Sequence, residues 1–139
     1  MLAERTCSTR RPAQDFLKST PATSFWYNRA MNDLLKKKCV PCEGGAMPLT
    51  KEEAFKYLAD VPGWNITDDF KMIFKQYKFK DFIGAINFVE RVADVANMED
   101  HHPDIHINYN KVTLELWTHA IGGLSENDFI VAAKVDAMK

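Results

Sequence analysis

All four histidines of this chain, His101, His102, His106 and His119, fall within one window, EDHHPDIHINYNKVTLELWTH, from Glu99 to His119. Imidazole is the side chain that ordinarily exchanges a proton near neutral pH, so a cluster of this kind can supply both an acid and a base to one reaction. Spacing alone leaves three uses open. A solvent-facing sheet surface requires only ordinary cross-strand pairing, such as His106 with a carboxylate. A metal site requires converging ligands, yet no H-x-H is present, the H-x-x-x-H of His102 and His106 aims two imidazoles at one point only on a helix, which Pro103 opposes, and adjacent histidines on an extended backbone point apart. Metal-free acid-base catalysis requires two histidines in different surroundings beside one substrate.

Two other groups of residues have chemical potential. Trp117 shares the histidine side of its strand, where an indole can wall a flat heterocycle or simply pack a sheet edge. Cys39 and Cys42 in KKKCVPCEGG have the C-x-x-C spacing of zinc knuckles and redox motifs. No second Cys/His pair lies nearby and no strand-turn-helix pattern surrounds them, so a flexible or loosely docked segment is the expectation.

The elements that must position these residues are legible as patterns. Thr50 followed by Glu53 has capping-box spacing, opening a helix with Ala54, Phe55, Leu58 and Ala59 on one side. WNIT and FKMIFKQYKF read as two strands joined at Asp68 and Asp69, the second with period 2. Asp81 can cap a long helix reaching about Met98, whose Phe82, Ile86, Val89, Ala93 and Ala96 recur every three or four residues and are expected to face the core. DIHINY and VTLELW form a hairpin, and Ser125 with Asp128 caps a final helix burying Phe129, Ala132, Ala133 and Val135. The order α-β-β-α-β-β-α describes an α+β fold: a four-stranded antiparallel sheet with three helices packed on one face.

With Asn110 and Lys111 as the hairpin turn, Tyr109 faces Val112, Ile107 faces Leu114 and Ile105 faces Leu116. The opposite face then pairs His106 with Glu115, Asp104 with Trp117 and, if the strands extend so far, His102 with His119. Pro103 supports the extension, because a residue before proline is held away from helical geometry. His101 is expected to project differently, toward the end of the long helix.

A chain of 139 residues with 46% hydrophobic and 27% charged side chains can build one core but not two full-sized domains. The formal net charge of -1 gives no general attraction to nucleic acid or anionic membrane. Apolar runs are too short to cross a bilayer. Residues 1–38 hold eight Lys/Arg and three Asp/Glu, a basic segment that reads as an appendage. Its Arg and Ser/Thr content suits an organelle transit peptide, whereas Glu4, Asp15 and Asp33 argue against one and Met31 is a candidate alternative start. The expected division is residues 1–48 as a flexible or targeting extension and 49–139 as the folded domain. The expected location is cytoplasmic, with organelle targeting left open.

HHPDIHINYNKVTLELWTH followed by GGLSENDF strongly resembles the pterin-4a-carbinolamine dehydratases, through His101, His102, Pro103, Tyr109, His119 and Asp128. GWN at 63–65 and IFKQYKFKDF at 73–82 are also similar to that family, so the resemblance covers roughly residues 49–139. It implies dehydration of a 4a-hydroxytetrahydropterin to a quinonoid dihydropterin in the recycling of the pterin used by aromatic amino acid hydroxylases. No metal or organic cofactor is implied. The resemblance makes His101 and His119 the acid-base pair and His102 a binding and orienting residue. Asp100, Trp117 and Thr118 border the pocket, and Trp64 stacks nearby. It also implies a homodimer or homotetramer. Some relatives are instead protein partners, stabilising a homeodomain transcription factor or assisting assembly, and that second class of function stays open.

One position departs from the family pattern. Four residues before the first histidine the family has an ionisable side chain, and here Asn97 stands there. Asparagine carries no charge to hold an imidazolium, so a lowered rate or a displaced pH optimum is expected unless Glu99 takes the role by unwinding of the helix end.

Overall fold

The computed structural model describes residues 33–42 and 45–138. The compact unit containing every element below begins at Leu34, and the targeting question raised for the first residues lies outside the described part. In sequence order the elements are α1 (Lys51–Ala59), β1 (Asn65–Ile66), β2 (Ile73–Lys78), α2 (Phe82–Glu99), β3 (Asp104–Asn108), β4 (Lys111–Leu116), a short 3₁₀ turn (His119–Ile121) and α3 (Glu126–Ala137). The four strands form one antiparallel sheet in the order β1-β2-β4-β3. This is the expected α+β architecture.

The caps fall where hydrogen-bonding chemistry requires. Thr50 and Glu53 form a reciprocal capping box on α1, and the Asp81 carboxylate accepts from the Gly84 N–H at the start of α2. The core lies between one sheet face, with Ile73, Tyr77, Val112, Leu114 and Leu116, and the helices. Phe129, Ile130, Val131, Ala132, Ala133 and Val135 of α3 are all buried, so this helix is apolar nearly all round because it is covered nearly all round. Among the described residues, no helix is long and apolar enough to cross a membrane.

Packing departs from the sequence pattern at four places. On α2 the buried side is Ala85, Phe88, Val92, Val95 and Ala96, so of the expected stripe only Ala96 is buried, Ile86 and Val89 are half-buried, and Phe82, 47% exposed, and Ala93 face solvent. Both stripes have helical period; the bulkier contact with Tyr77 and Phe79, through Phe88, goes to the core. On α1, Ala54 is buried but Phe55 is exposed, and Tyr57 instead stacks on Phe129 at 5.2 Å. β2 begins at Ile73 rather than Phe70, because Thr67 and Met72 close a longer loop in which Phe70 takes a left-handed φ of 59°.

The fourth departure is the hairpin. Its turn is Tyr109-Asn110, with Asn108 opposite Lys111, Ile107 opposite Val112, Ile105 opposite Leu114, His106 opposite Thr113 and Asp104 opposite Glu115. The third strand decides this. Asn110 is held by Phe79 at the end of β2, its C=O accepting the Phe79 N–H at 2.8 Å and its amide Nδ2 donating to the Phe79 C=O at 2.8 Å. Tyr109 therefore takes the positive φ of 54° that local preference assigns to asparagine. Pairing moves by two positions, so each residue keeps its face and only its partner changes.

Trp64 belongs to a buried polar cluster under the sheet. Its indole N–H donates to Asp136, which also accepts from Lys75 at 2.9 Å and from the Tyr77 hydroxyl at 2.8 Å. Burial first, and the adjacent carboxylate second, push the Tyr77 hydroxyl far above its ordinary range and keep it a donor. The cluster fastens the last turn of α3 to β2. Asp136→Ala leaves the Lys75 ammonium buried without its counter-charge and is expected to cost about 3–5 kcal/mol in urea unfolding, with Lys75→Met recovering part of the loss.

Candidate active site

The helix α2 ends at Asp100, which adopts the left-handed conformation (φ 52°), a geometry that aspartate tolerates better than most residues. The His101 N–H closes back on the Ala96 C=O, and the backbone leaves the helix with neighbouring imidazoles pointing to different elements. His101 reaches α3, where its Nε2 lies 2.6 Å from an oxygen of the fully buried Asp128. His102, not His101, turns back along α2, and its Nε2 donates to Oδ1 of Asn97 at 3.0 Å. That reverses the direction expected for His101. A carboxylate and an amide oxygen only accept, so both rings carry the proton on Nε2 in these bonds and keep Nδ1 for other work.

Asp128 is more than the third residue of a capped helix. One oxygen takes His101; the other accepts from the Thr118 hydroxyl at 2.9 Å and the Ser125 N–H at 2.8 Å. The Ser125 and Thr118 hydroxyls are 2.7 Å apart. A buried carboxylate at a helix N-terminus with three donors is well supported as an anion and can compensate a positive charge on His101.

His119 does not face His102 across a strand pair, because the strand ends at Leu116 and His119 begins the 3₁₀ turn. Its ring packs on Trp117 with centroids 4.0 Å apart, and its Nε2 is 4.0 Å from Asp104, whose carboxylate also accepts from the Trp117 indole at 3.2 Å. His119 is well exposed, in contrast with His101. The two rings thus occupy unlike surroundings.

His101, His102, His119, Asp100, Trp117 and Thr118 all line one cavity of about 420 Å³, a size suited to a small ligand. Two sequence candidates are elsewhere. Trp64 is committed to Asp136, because its polar indole N–H finds a buried carboxylate there, and it does not line this cavity. His106 pairs diagonally with Glu115 at 3.2 Å on the open face of the sheet. Among the described residues, no group of three or more His, Cys, Asp or Glu side chains is placed to hold a metal ion.

The cavity also has a wall that the spacing of functional residues did not reveal. Residues Cys39 to Cys42 line it together with Glu99 and Asn127. The Cys39 N–H donates to Glu99 at 3.0 Å, and the Val40 N–H and C=O both pair with the Asn127 amide. The segment expected to be flexible or loosely docked is packed here by these bonds. Glu99 is the last residue of α2 and is engaged by Lys134 and Cys39, so the helix end stays wound and Glu99 does not replace the missing charge at position 97. Burial, with the Glu99 carboxylate second, pushes the Cys39 thiol up to about 12, and its Sγ donates to the Asn127 C=O at 3.7 Å.

The chain matches the family model described as Pterin 4 alpha carbinolamine dehydratase over residues 47–138. A relative from Halorhodospira halophila is 50% identical over 105 residues, covering 76% of this chain and 96% of its own length. One from Nitrosospira multiformis is 48% identical over 108 residues, covering 78% of this chain and 94% of its own. Both carry the name pterin-4-alpha-carbinolamine dehydratase as a provisional designation. Among solved structures, a transcriptional coactivator/pterin dehydratase from Brucella melitensis is similar with a TM-score of 0.63 and 36% identity, covering 66% of this chain and 97% of that one.

The raised Cys39 thiol makes a direct pH prediction. A thiolate is the reactive form, so at pH 8 iodoacetamide should label Cys39 far more slowly than a free cysteine, with the rate still climbing above pH 10. Mass spectrometry of the labelled peptide gives the rate; a plateau near pH 9 would contradict the burial of this thiol.

Proposed function

The chain belongs to the pterin-4-alpha-carbinolamine dehydratase family, and on that footing we propose that it removes water from a 4a-hydroxytetrahydropterin to give a quinonoid dihydropterin. The place of this reaction is after an aromatic amino acid hydroxylase has used its pterin. One observation carries the reading: the neighbouring His101 and His102 and the distant His119 border a single cavity beside the Trp117 indole.

Dehydration needs the N5 proton to leave while the 4a-hydroxyl departs as water, so a base and an acid must meet the same bicycle. His101 acts as the base through Nδ1. Its Nε2–H is held by Asp128, which fixes the tautomer and compensates the charge that forms when the ring takes a second proton. His119 acts as the acid; its exposure lets it recover a proton from solvent between turnovers. Trp117 stacks on the flat ring, His102 orients it by hydrogen bonding, and Asp100 and Thr118 border it. The reaction as written uses no metal or organic cofactor.

A second surface is a candidate for self-assembly. The outward stripe of α2, with Phe82 and Ala93 exposed and Ile86 and Val89 half-buried, is left partly uncovered among the described residues, suited to meeting the same stripe on another copy in a dimer or tetramer. Contact with a different protein is the competing use of that stripe.

Three outcomes test this reading. With 4a-hydroxypterin generated by a hydroxylase, His101→Ala and His119→Ala should each lower kcat about 100-fold or more while the protein stays folded; unaltered turnover in either removes that residue from the mechanism. Asn97→Glu puts a carboxylate beside His102 Nε2, favours the charged ring and should move the pH-rate profile toward higher pH; an unmoved profile denies the position a role. Ala93→Glu, on the exposed stripe, should reduce the mass measured by light scattering to that of a smaller assembly, and an unchanged mass would place the interface elsewhere.

A further inference from the structure

The segment from Lys37 to Cys42 crosses the gap between two helix ends. On one side, Lys38 donates to the Met98 C=O at 3.0 Å and the Cys39 N–H to Glu99 at 3.0 Å, both at the end of α2. On the other, Lys37 pairs with Glu126 and Val40 with Asn127, both in the first turn of α3. These anchors flank His101 and Asp128, which span the same gap. Asn127 does most of the holding: it is only 4% exposed, and its amide meets the Val40 backbone as a strand would, with the Val40 N–H donating to Oδ1 at 3.1 Å and Nδ2 donating to the Val40 C=O at 2.6 Å. The same Nδ2 lies 3.3 Å from the Cys42 sulfur. Four consecutive residues of the strap, Cys39 to Cys42, line the histidine cavity.

What this wall offers a ligand follows from its chemistry. Pro41 has no N–H, and both backbone polar groups of Val40 are taken by Asn127. The Cys39 thiol is spent on the Asn127 C=O. The Val40 side chain is left 64% exposed on a pinned backbone. A rigid apolar surface beside polar catalytic groups binds by contact and excludes water, without taking part in proton transfer.

We infer that the strap Lys37–Cys42, latched by Asn127, is a substrate-binding wall of this site, with Val40 and Pro41 presenting apolar surface to the reduced pterin. The inference rests on the dehydratase reading and adds to it binding residues outside the histidine motif. Asn127 is a positioning residue, acting on substrate through the strap.

The test uses the full-length protein as wild type, Val40→Asp and Asn127→Ala, with dehydration kinetics and with the affinity for a tetrahydropterin measured by calorimetry. Loss of one apolar wall contact should raise KM, and weaken tetrahydropterin binding, about tenfold in both variants, while kcat stays within about twofold and, in Asn127→Ala, which adds no charge, the pH-rate profile is unmoved. Asn127→Ala also removes buried hydrogen bonds and lowers stability, so Val40→Asp, altered at an exposed side chain, carries the decision. Wild-type KM and affinity in Val40→Asp, or a fall in kcat alone, would overturn the wall. A wild-type protein that neither dehydrates the carbinolamine nor binds tetrahydropterin would remove the dehydratase reading first and this inference with it.

Discussion

A carboxylate with no access to water costs many kcal/mol unless donors replace its hydration, and Asp128 meets that demand with donors from three parts of the fold. Ser125 comes from the N-terminus of α3, Thr118 from the exit of β4, and His101 from the turn after α2. Satisfying one buried charge therefore brings together the ends of three elements. The cavity lies at that junction, and the proposed base is one of the three donors. Stability and site geometry are coupled here, because the bond that helps satisfy Asp128 also sets the direction of the His101 ring.

The flanking contacts extend the same logic outward. Glu99, nearly buried, is balanced by Lys134 and the Cys39 N–H; Asn127, nearly buried, is balanced by Val40. The Glu99 carboxylate and the Asn127 amide at the two helix ends are answered by backbone groups of the strap, which needs those partners because it forms no strand of its own. Burial suppresses ionisation of Cys39, so the C-x-x-C pair serves this packing through S–H donation and sulfur acceptance. At the other end of α3, Asp136 plays the part of Asp128, collecting Trp64, Lys75 and Tyr77. The final helix is fixed at both ends by buried carboxylates, and its apolar middle fills the core.

Pattern and packing disagree in instructive ways. α2 carries two apolar stripes of the same period, and nothing in the spacing ranks them; the choice depends on Phe88 meeting Tyr77 and Phe79, a tertiary contact between helix and sheet. The hairpin turn was assigned from asparagine's tolerance of positive φ, whereas the ladder to β2 holds Asn110 against Phe79 and transfers the strained position to Tyr109. Lys75 lies on the core side of β2, between Ile73 and Tyr77, because its ammonium pairs with Asp136 there. Trp64 was expected beside the cavity for its aromatic ring, but its N–H sent it to a carboxylate.

By itself the sequence determined the element order, the helix caps, the faces of the β3–β4 hairpin and the histidines worth watching, since each follows from interactions within a few residues or from the period of apolar side chains. The family was legible too, because its motif is compact in the sequence. Tertiary structure alone decided which stripe of α2 is buried, that His101 bonds Asp128 while His102 bonds Asn97, that Trp64 lies apart, and that Cys39 to Cys42 close the cavity. Most of those outcomes depend on partners roughly 30 to 90 positions away in the sequence, in contacts that exist only once burial has forced each polar group to find another.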